Sequence, residues 1–178
     1  MTSRRTKALF ILAICTAFLT ACGQKEQSFS FDLDKSLPFQ IIQQDGSLEI
    51  KTLADYQGNW LLVNFWSVSC PPCFEEIPDL AKAHSQLDNP SVTVIGVAMS
   101  YDRPDSVLET TQRINIPYPV SFDLEGNIES AFGKISVIPT SFLVDPNGLP
   151  VEKYTGKVTF NQIKQDLMHF SKTYQQKD

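Results

Sequence analysis

Residues 60–73 have the sequence WLLVNFWSVSCPPC, in which an almost continuous apolar run leads directly into two cysteines. Gly58-Asn59 precede the run, and an apolar stretch of this length is typical of a strand buried on both faces of a sheet. After the cysteines, helical spacing predicts a helix over about 72–87 with one buried stripe, formed by Ile77, Leu80, Ala81, Ala83 and Leu87. The stretch therefore predicts that Cys70 and Cys73 lie where a buried strand ends and a helix begins.

The segments on either side of this stretch predict an α/β sandwich with a mixed central sheet and flanking helices. Asp45-Gly46 separates two short strand-like segments and predicts a hairpin turn. Asp102 and Thr159 each precede a helical pattern and are expected to cap it. The predicted strands are 39–42, 48–50, 60–66, 92–97, 119–122, 140–144 and 151–154, and the predicted helices are 72–87, 104–114, 127–132 and 160–172.

The N-terminus has the pattern of a bacterial lipoprotein signal. Three basic residues, Arg4, Arg5 and Lys7, precede an apolar stretch at 8–19, which ends at Leu19-Thr20-Ala21-Cys22. The sequence predicts a signal peptide at 1–21, a lipidated tether at 22–36 and one folded domain at 37–178. Cys22 is then the lipidation site, which would anchor the chain to a bilayer on the extracytoplasmic side. The alternative is an ordinary secretory signal that happens to contain a cysteine.

The net charge argues against nucleic-acid binding, and the cysteine positions show which thiols are free to react. Cleavage before Cys22 would remove three basic residues and no acidic one, so the net charge of −5 would become −8. An acidic domain without a basic cluster is a poor nucleic-acid binder, because phosphate contacts need clustered Lys and Arg. Cys15 would be removed with the signal peptide and Cys22 would carry lipid. Only Cys70 and Cys73 would then remain as free thiols.

The Cys70-Pro71-Pro72-Cys73 motif predicts thiol–disulfide exchange. A helix N-terminus favours a thiolate, so Cys70 is the candidate nucleophile and Cys73 the resolving thiol. A zinc site would need further ligands, and His84 and His169 lie far along the chain, where surface positions are expected for both. A c-type haem site would need a histidine in place of Phe74. We therefore expect no metal and no cofactor beyond the redox-active disulfide.

The two prolines favour a reductant over a strong oxidant. Proline has no backbone N–H, so Pro71 and Pro72 offer the Cys70 thiolate fewer hydrogen-bond donors than most residue pairs would. A less stabilised thiolate means a less stable reduced form of the protein.

At this point the chain resembles the thioredoxin superfamily, and within it the ResA/TlpA-like extracytoplasmic thiol–disulfide oxidoreductases. The resemblance covers about residues 37–173 and rests on three ordered blocks: Asn64-Phe65-Trp66 with the cysteine motif, Glu76-Ile77-Pro78, and Val137-Ile138-Pro139-Thr140 with residues 142–148. It implies a thioredoxin-like three-layer sandwich. A segment with Tyr118-Pro119-Val120 and Asp123 resembles the insertion of the TlpA-like group.

The resemblance also implies roles for single residues. Pro139 matches the family's cis-proline, and the backbone of Ile138 could pair with a substrate strand. Trp66, Pro71 and Pro72 are expected to contact substrate beside the cysteines.

Asn64 and Glu76 are informative together. Asn64 stands where thioredoxin has a buried carboxylate, and it cannot titrate. Glu76 lies about 300° round the helix from Cys73, on the same face, whereas Glu75 lies about 200° away. Glu76 matches an active-site glutamate of the ResA-like group, and we expect it to tune the thiol pKa values and assist proton transfer. Ser69 departs from the family, many of whose members have an aromatic residue there, so partner contact at this edge is open.

Three functions remain. The first is a membrane-anchored reductase of extracytoplasmic protein disulfides, with apocytochrome c as one possible substrate; the resemblance implies electrons from a membrane thiol transporter of the CcdA/DsbD type. The second is a peroxiredoxin-like peroxide reductase: Ser67 fits that motif, but Val63 stands where it needs proline. The third is a Sco-like copper chaperone, which needs three residues between its cysteines and a later histidine.

Overall fold

The predicted central strand is the middle of the sheet. The computed structural model describes residues 32–43 and 45–175. Strand β3, Trp60–Trp66, is buried at every position. It pairs in parallel with β4, Val92–Ala98, on one side and antiparallel with β6, Thr140–Val144, on the other. Both neighbours are also strongly apolar, which explains why the run in β3 shows no alternation with polar residues.

Four further strands complete a mixed seven-stranded sheet. They are β1, Pro38–Ile42; β2, Leu48–Thr52; β5, Val120–Phe122; and β7, Pro150–Thr155. The strand order is β2-β1-β5-β4-β3-β6-β7. The pairs β3–β4 and β4–β5 are parallel, and the other four pairs are antiparallel. The predicted mixed sheet and the hairpin predicted at Asp45-Gly46 are therefore confirmed.

In the part of the chain that the structure describes, four helices flank the sheet. They are α1, Pro71–Gln86; α2, Pro104–Arg113; α3, Asn127–Ala131; and α4, Phe160–Gln175. A single 3-10 turn, Leu53–Tyr56, follows β2. Among the described residues, no helix is both long enough and apolar enough to cross a bilayer.

Alternate residues of β3 divide the core into two layers. Leu61, Val63 and Phe65 pack in one cluster with Ile128 and Phe132 at α3. The opposite face packs against α1 and α4 through a cluster that joins Trp60 and Leu62 to Leu80, Ala83, Ile163 and Leu167. A smaller cluster at the end of β3 contains Trp66, Cys70, Cys73 and Val107 of α2. The cysteines are thus part of the core at one edge of the sheet.

Most predicted boundaries agree with the structure within one to three residues. Thr159 caps α4 as expected: its Oγ1 accepts the Gln162 N–H at 3.4 Å, and the Gln162 side chain accepts the Thr159 N–H at 3.0 Å. The predicted cap at Asp102 is wrong, because the cap position of α2 is Arg103 and makes no side-chain capping bond. The predicted signal peptide and the lipidation site Cys22 lie outside the described residues.

Candidate active site

The two cysteines form a disulfide at the N-terminus of α1. Cys70 occupies the cap position of the helix, Cys73 lies one turn in, and their Cα atoms are 5.3 Å apart. Cys70 is 6 % exposed and Cys73 is 2 % exposed. The structure therefore places both predicted redox residues together, with Cys70 nearer to solvent.

The first turn of α1 offers Cys70 few hydrogen-bond donors. Pro71 and Pro72 occupy the first two helical positions and are exposed. Neither has a backbone N–H. The N–H of Cys73 donates to the Cys70 carbonyl at 3.1 Å. The donors that usually stabilise an anion at a helix N-terminus are thus missing or used at its first three positions.

Pro139 follows a cis peptide bond, as predicted. The bond between Ile138 and Pro139 is cis, and Ile138 packs against the cluster that contains both cysteines. The Pro139 carbonyl accepts the N–H of Gly156 at 2.8 Å, and the Thr140 hydroxyl donates to the Val137 carbonyl at 2.7 Å. These bonds fix the loop before β6 on both sides of the proline. A second cis bond, Asn89–Pro90, was not predicted.

Trp66 was expected to contact substrate, and it packs beside the disulfide. It is 4 % exposed and shares the cysteine cluster. Its ring meets Phe74 of α1 edge-on, with the ring centroids 6.2 Å apart. Trp66 thus supports the first turn of α1 from beneath and has little surface of its own for a partner to touch.

Glu76 is buried behind the disulfide, on the same face of α1 as Cys73. Only 1 % of the residue is exposed. Its Oε1 accepts a hydrogen bond from the Asn64 amide at 2.7 Å, and its Oε2 accepts the Val158 N–H at 3.0 Å. Asn64 also donates to the Ser141 hydroxyl at 2.9 Å. Strands β3 and β6 and the loop before α4 therefore all hold this carboxyl in place.

Burial raises the pKa of Glu76 to about 7. The hydrogen bonds from Val158 and Asn64 and the positive charge of Lys157 lower this pKa, while Asp79 raises it slightly. Desolvation is the largest of these effects and decides the direction. A carboxyl with a pKa near neutrality can both accept and return a proton under ordinary conditions.

Glu75 lies next to Glu76 in the sequence but points elsewhere, as the helical angle predicts. Its side chain is exposed and forms an ion pair with Lys157, in the loop between β7 and α4. The next residue of that loop is Val158, whose N–H binds Glu76. The two adjacent glutamates therefore hold the same loop, one from the surface and one from the interior.

Asp102 performs a different task from the one predicted. Its Oδ1 accepts the Ser67 hydroxyl at 2.9 Å, and its Oδ2 accepts the Val68 N–H at 3.0 Å. Ser67 is fully buried, and its Oγ also accepts the N–H of Ser69 at 3.2 Å. Because these contacts occupy both carboxylate oxygens, Asp102 fixes the segment that leads to Cys70 and caps no helix.

The histidines take no part in the site. His84 is half-buried, contrary to the expected surface position, and its Nδ1 accepts the Val94 N–H at 3.2 Å. Burial lowers the pKa of His84, which suits this neutral acceptor role. His169 is exposed. Within residues 32–43 and 45–175, no three His, Cys, Asp or Glu side chains are grouped closely enough to hold a metal ion.

Comparison with known proteins identifies the family of this chain. Residues 31–149 match the AhpC/TSA family. The chain belongs to this family. The match includes β1 to β6, and with them the cysteine pair, Glu76, Asp102 and Pro139.

Two curated relatives of this AhpC/TSA member are similar to it along nearly their whole length. The chain is 28 % identical over 166 residues to the thiol–disulfide oxidoreductase ResA of Bacillus cereus, covering 92 % of each chain. It is 27 % identical over 176 residues to the ResA protein of Halalkalibacterium halodurans, covering 95 % of this chain and 97 % of the relative.

Solved structures agree on the fold of this AhpC/TSA member. A Neisseria meningitidis protein described as a thioredoxin is 30 % identical, with a TM-score of 0.63 over 78 % of this chain and 90 % of its own. StoA of Bacillus subtilis, at 23 % identity, has a TM-score of 0.60 over 73 % of this chain and 96 % of its own. The protein thus has the predicted thioredoxin-like fold and is an enzyme of the thiol–disulfide oxidoreductase class.

Proposed function

We propose that this enzyme is a membrane-anchored reductase of protein disulfides outside the cytoplasm. The observation that supports the direction of electron flow is the first turn of α1. Pro71 and Pro72 supply no N–H, and the Cys73 N–H is bonded to the Cys70 carbonyl. A Cys70 thiolate receives little stabilisation there, which disfavours the reduced form and makes the dithiol a better electron donor.

In the proposed reaction, the Cys70 thiolate attacks one sulfur of a substrate disulfide. A mixed disulfide forms, and the other substrate sulfur leaves as a thiolate. The Cys73 thiol then loses its proton and attacks Cys70, which forms the Cys70–Cys73 disulfide and releases the second substrate thiolate. Two electrons pass from the enzyme to the substrate, and both released thiolates are protonated. The oxidised pair is the state that the structure contains.

Glu76 is the proposed acceptor of the Cys73 proton. Its burial on the Cys73 face of α1 and its pKa of about 7 support this role. Asn64 cannot compete for the proton, because it has no titratable group and donates its amide hydrogens to Glu76 and Ser141. The carboxyl is thus held in one orientation while its proton is exchanged.

Substrate binding is proposed along the loop before β6 and the exposed prolines of α1. Ile138, just before the cis-proline Pro139, packs against the cysteine cluster, so an extended substrate segment beside it would lie close to Cys70. Pro71 and Pro72 are exposed in the first turn of α1, directly after Cys70. Trp66 would support this surface indirectly, because its ring packs against Phe74 in the first turn of α1.

The cellular setting is proposed from the N-terminal sequence. Basic residues, an apolar run and Leu19-Thr20-Ala21-Cys22 favour a signal peptide at 1–21 and lipidation at Cys22. Residues 22–36 would tether the domain, residues 37–178, to the extracytoplasmic or periplasmic face of a membrane. A membrane thiol transporter of the CcdA/DsbD type would then return electrons to the oxidised pair. Proteins with a cysteine pair, such as apocytochrome c, are the proposed substrates, with a role in cytochrome c biogenesis.

The decisive measurement is the reduction potential of the Cys70–Cys73 pair, by equilibration with glutathione or dithiothreitol buffers and thiol trapping. We expect a value well below roughly −200 mV, toward that of thioredoxin. A value near roughly −120 mV would identify a disulfide donor and overturn the proposal. In cells, a Cys73→Ser variant should trap substrates as mixed disulfides on Cys70, and a Cys70→Ser, Cys73→Ser variant is the control. Rapid peroxide consumption or tight copper binding would favour the peroxiredoxin-like or Sco-like alternative.

A further inference from the structure

Two loops leave the sheet side by side next to Cys70. Strands β3 and β4 are parallel neighbours, and Trp66 pairs with Ala98 at their carboxyl ends. One residue later, the Met99 N–H donates to the Trp66 carbonyl at 3.0 Å. The segment 67–69, which leads to Cys70, therefore runs beside the segment 99–102 that follows β4.

Asp102 joins these two segments and fixes the position of the residue before it. Its carboxylate binds the Ser67 hydroxyl and the Val68 N–H, and its own N–H donates to the Met99 carbonyl at 3.0 Å. Tyr101 lies between two anchored residues, Met99 and Asp102. Its backbone is thus held at the edge of the active site by bonds to the segment that leads to Cys70.

Tyr101 is the large exposed aromatic residue at this edge. It is 63 % exposed, and partial burial raises the pKa of its hydroxyl. The neighbouring Ser69 is exposed but small. On the side of the cis-proline, Val137 is also exposed, at 51 %.

Cys70 is nearly inaccessible to solvent, at 6 % exposed. A disulfide within a substrate protein therefore reaches the Cys70 sulfur only if the substrate chain on either side of it packs on residues beside Cys70. A small disulfide needs no such contact. Exposed aromatic rings with one polar end are the side chains that most often anchor a protein partner, because they bury a large area with few rotatable bonds.

We propose that Tyr101 binds the polypeptide that flanks the substrate's disulfide and so selects protein disulfides over small ones. The proposal rests on the proposed reductase function and assigns part of its substrate-binding surface. The occupant is an extended polypeptide segment lying across the 99–102 loop toward Cys70. A second copy of this chain is a poorer occupant, since two acidic domains repel one another.

The test compares a protein disulfide with a small one, using insulin and oxidised glutathione as substrates of the reduced enzyme. Tyr101→Ala should raise KM for insulin by about 5–20-fold, as expected for loss of an aromatic anchor. Its kcat/KM for glutathione should change by less than twofold. Tyr101→Phe, which keeps the ring, should stay within twofold of the parent for both substrates. Ile50→Ala, at a similarly exposed apolar residue on the edge strand β2, is the matched control.

The other outcomes are equally informative. If Tyr101→Ala lowers kcat/KM equally for insulin and glutathione, Tyr101 supports the active-site loop. If the insulin kinetics do not change, Tyr101 touches no substrate. Either result overturns the proposal. A change in sedimentation from dimer to monomer without a change in KM would assign the ring to self-association instead and would also overturn it. If the parent enzyme reduces neither substrate, the reductase function itself has failed, which the parent's activity reveals before any variant is compared.

Discussion

The two sides of the disulfide differ in what surrounds them. Behind Cys73, Glu76 is enclosed by Asn64 and the Val158 N–H and has almost no exposed surface. Beside Cys70, the carboxylate of Asp102 binds the loop, and Tyr101 projects into solvent. Proton chemistry needs a desolvated carboxyl, whereas protein recognition needs reachable surface. The proposed proton transfer and the proposed protein recognition would therefore use different surroundings, one buried and one exposed.

The largest effect on the unfolding free energy is expected from Glu76, the buried carboxyl near Cys73. The pKa of Glu76 rises from an ordinary 4.5 to about 7 on folding, so between these values the folded protein binds more protons than the unfolded chain. The unfolding free energy of the oxidised protein should therefore fall as pH rises from 4.5 to 7, by up to about 3 kcal/mol, and level off above 7. Urea unfolding at a series of pH values measures this slope.

Glu76→Gln should remove most of that slope, because an amide stays neutral throughout. The matched control is Glu75→Gln at the adjacent exposed carboxylate, which should leave the slope as it is. If the parent and Glu76→Gln show the same pH dependence, Glu76 is not the group that titrates. The separation of the two tasks would then lose its main support.

An intermediate effect is expected at the loop beside Cys70. Asp102→Ala would leave the Val68 N–H and the buried Ser67 hydroxyl without their acceptor, at a cost of about 1–3 kcal/mol in unfolding free energy. Asp105→Ala, three residues away, removes an exposed carboxylate paired with Arg103 and should change stability far less. Chemical denaturation of both variants gives the comparison, and equal losses would show that Asp102 is an ordinary surface residue.

The smallest effect is expected at Lys157, an exposed residue whose charge acts on the buried Glu76. Lys157 pairs with Glu75, and its positive charge lowers the pKa of Glu76. Lys157→Met should therefore raise the pKa of Glu76, but solvent screening limits the shift to roughly 0.2–0.5 pH units. Carboxyl titration by NMR measures it, with Lys164→Met, at an exposed lysine of α4, as the control. A downward shift, or the same shift in both variants, would contradict this account.

Local patterns in the sequence were sufficient to predict the arrangement around the cysteines. The apolar run of β3, the helical stripe of α1 and the turn residues Asp45-Gly46 between β1 and β2 all depend on neighbours along the chain. The cis bond before Pro139 followed from the resemblance of a whole block. The separation of Glu75 from Glu76 followed from helix geometry alone, since one residue turns the side chain by about 100°.

Contacts between distant segments could not be predicted in this way. Asp102 has the sequence context of a helix cap, yet its carboxylate binds Ser67 and Val68, 34 to 35 residues earlier in the chain. His84 was expected at the surface, but it accepts the backbone N–H of Val94 on β4. In both cases the side chain accepts a hydrogen bond from a donor in a distant segment of the chain. Such a donor cannot be inferred from the residues next to the acceptor in the sequence.

The sequence by itself determined the strand, the helix and the redox pair between them, because hydrophobic periodicity and proline geometry act over a few residues. Only the tertiary structure decided what surrounds that pair. The pKa of Glu76 depends on burial between β3, β6 and the loop before α4, and the exposure of Tyr101 depends on how the loops after β3 and β4 are joined. Desolvation and hydrogen bonding are properties of groups brought together in space, so they exist only once the chain has folded.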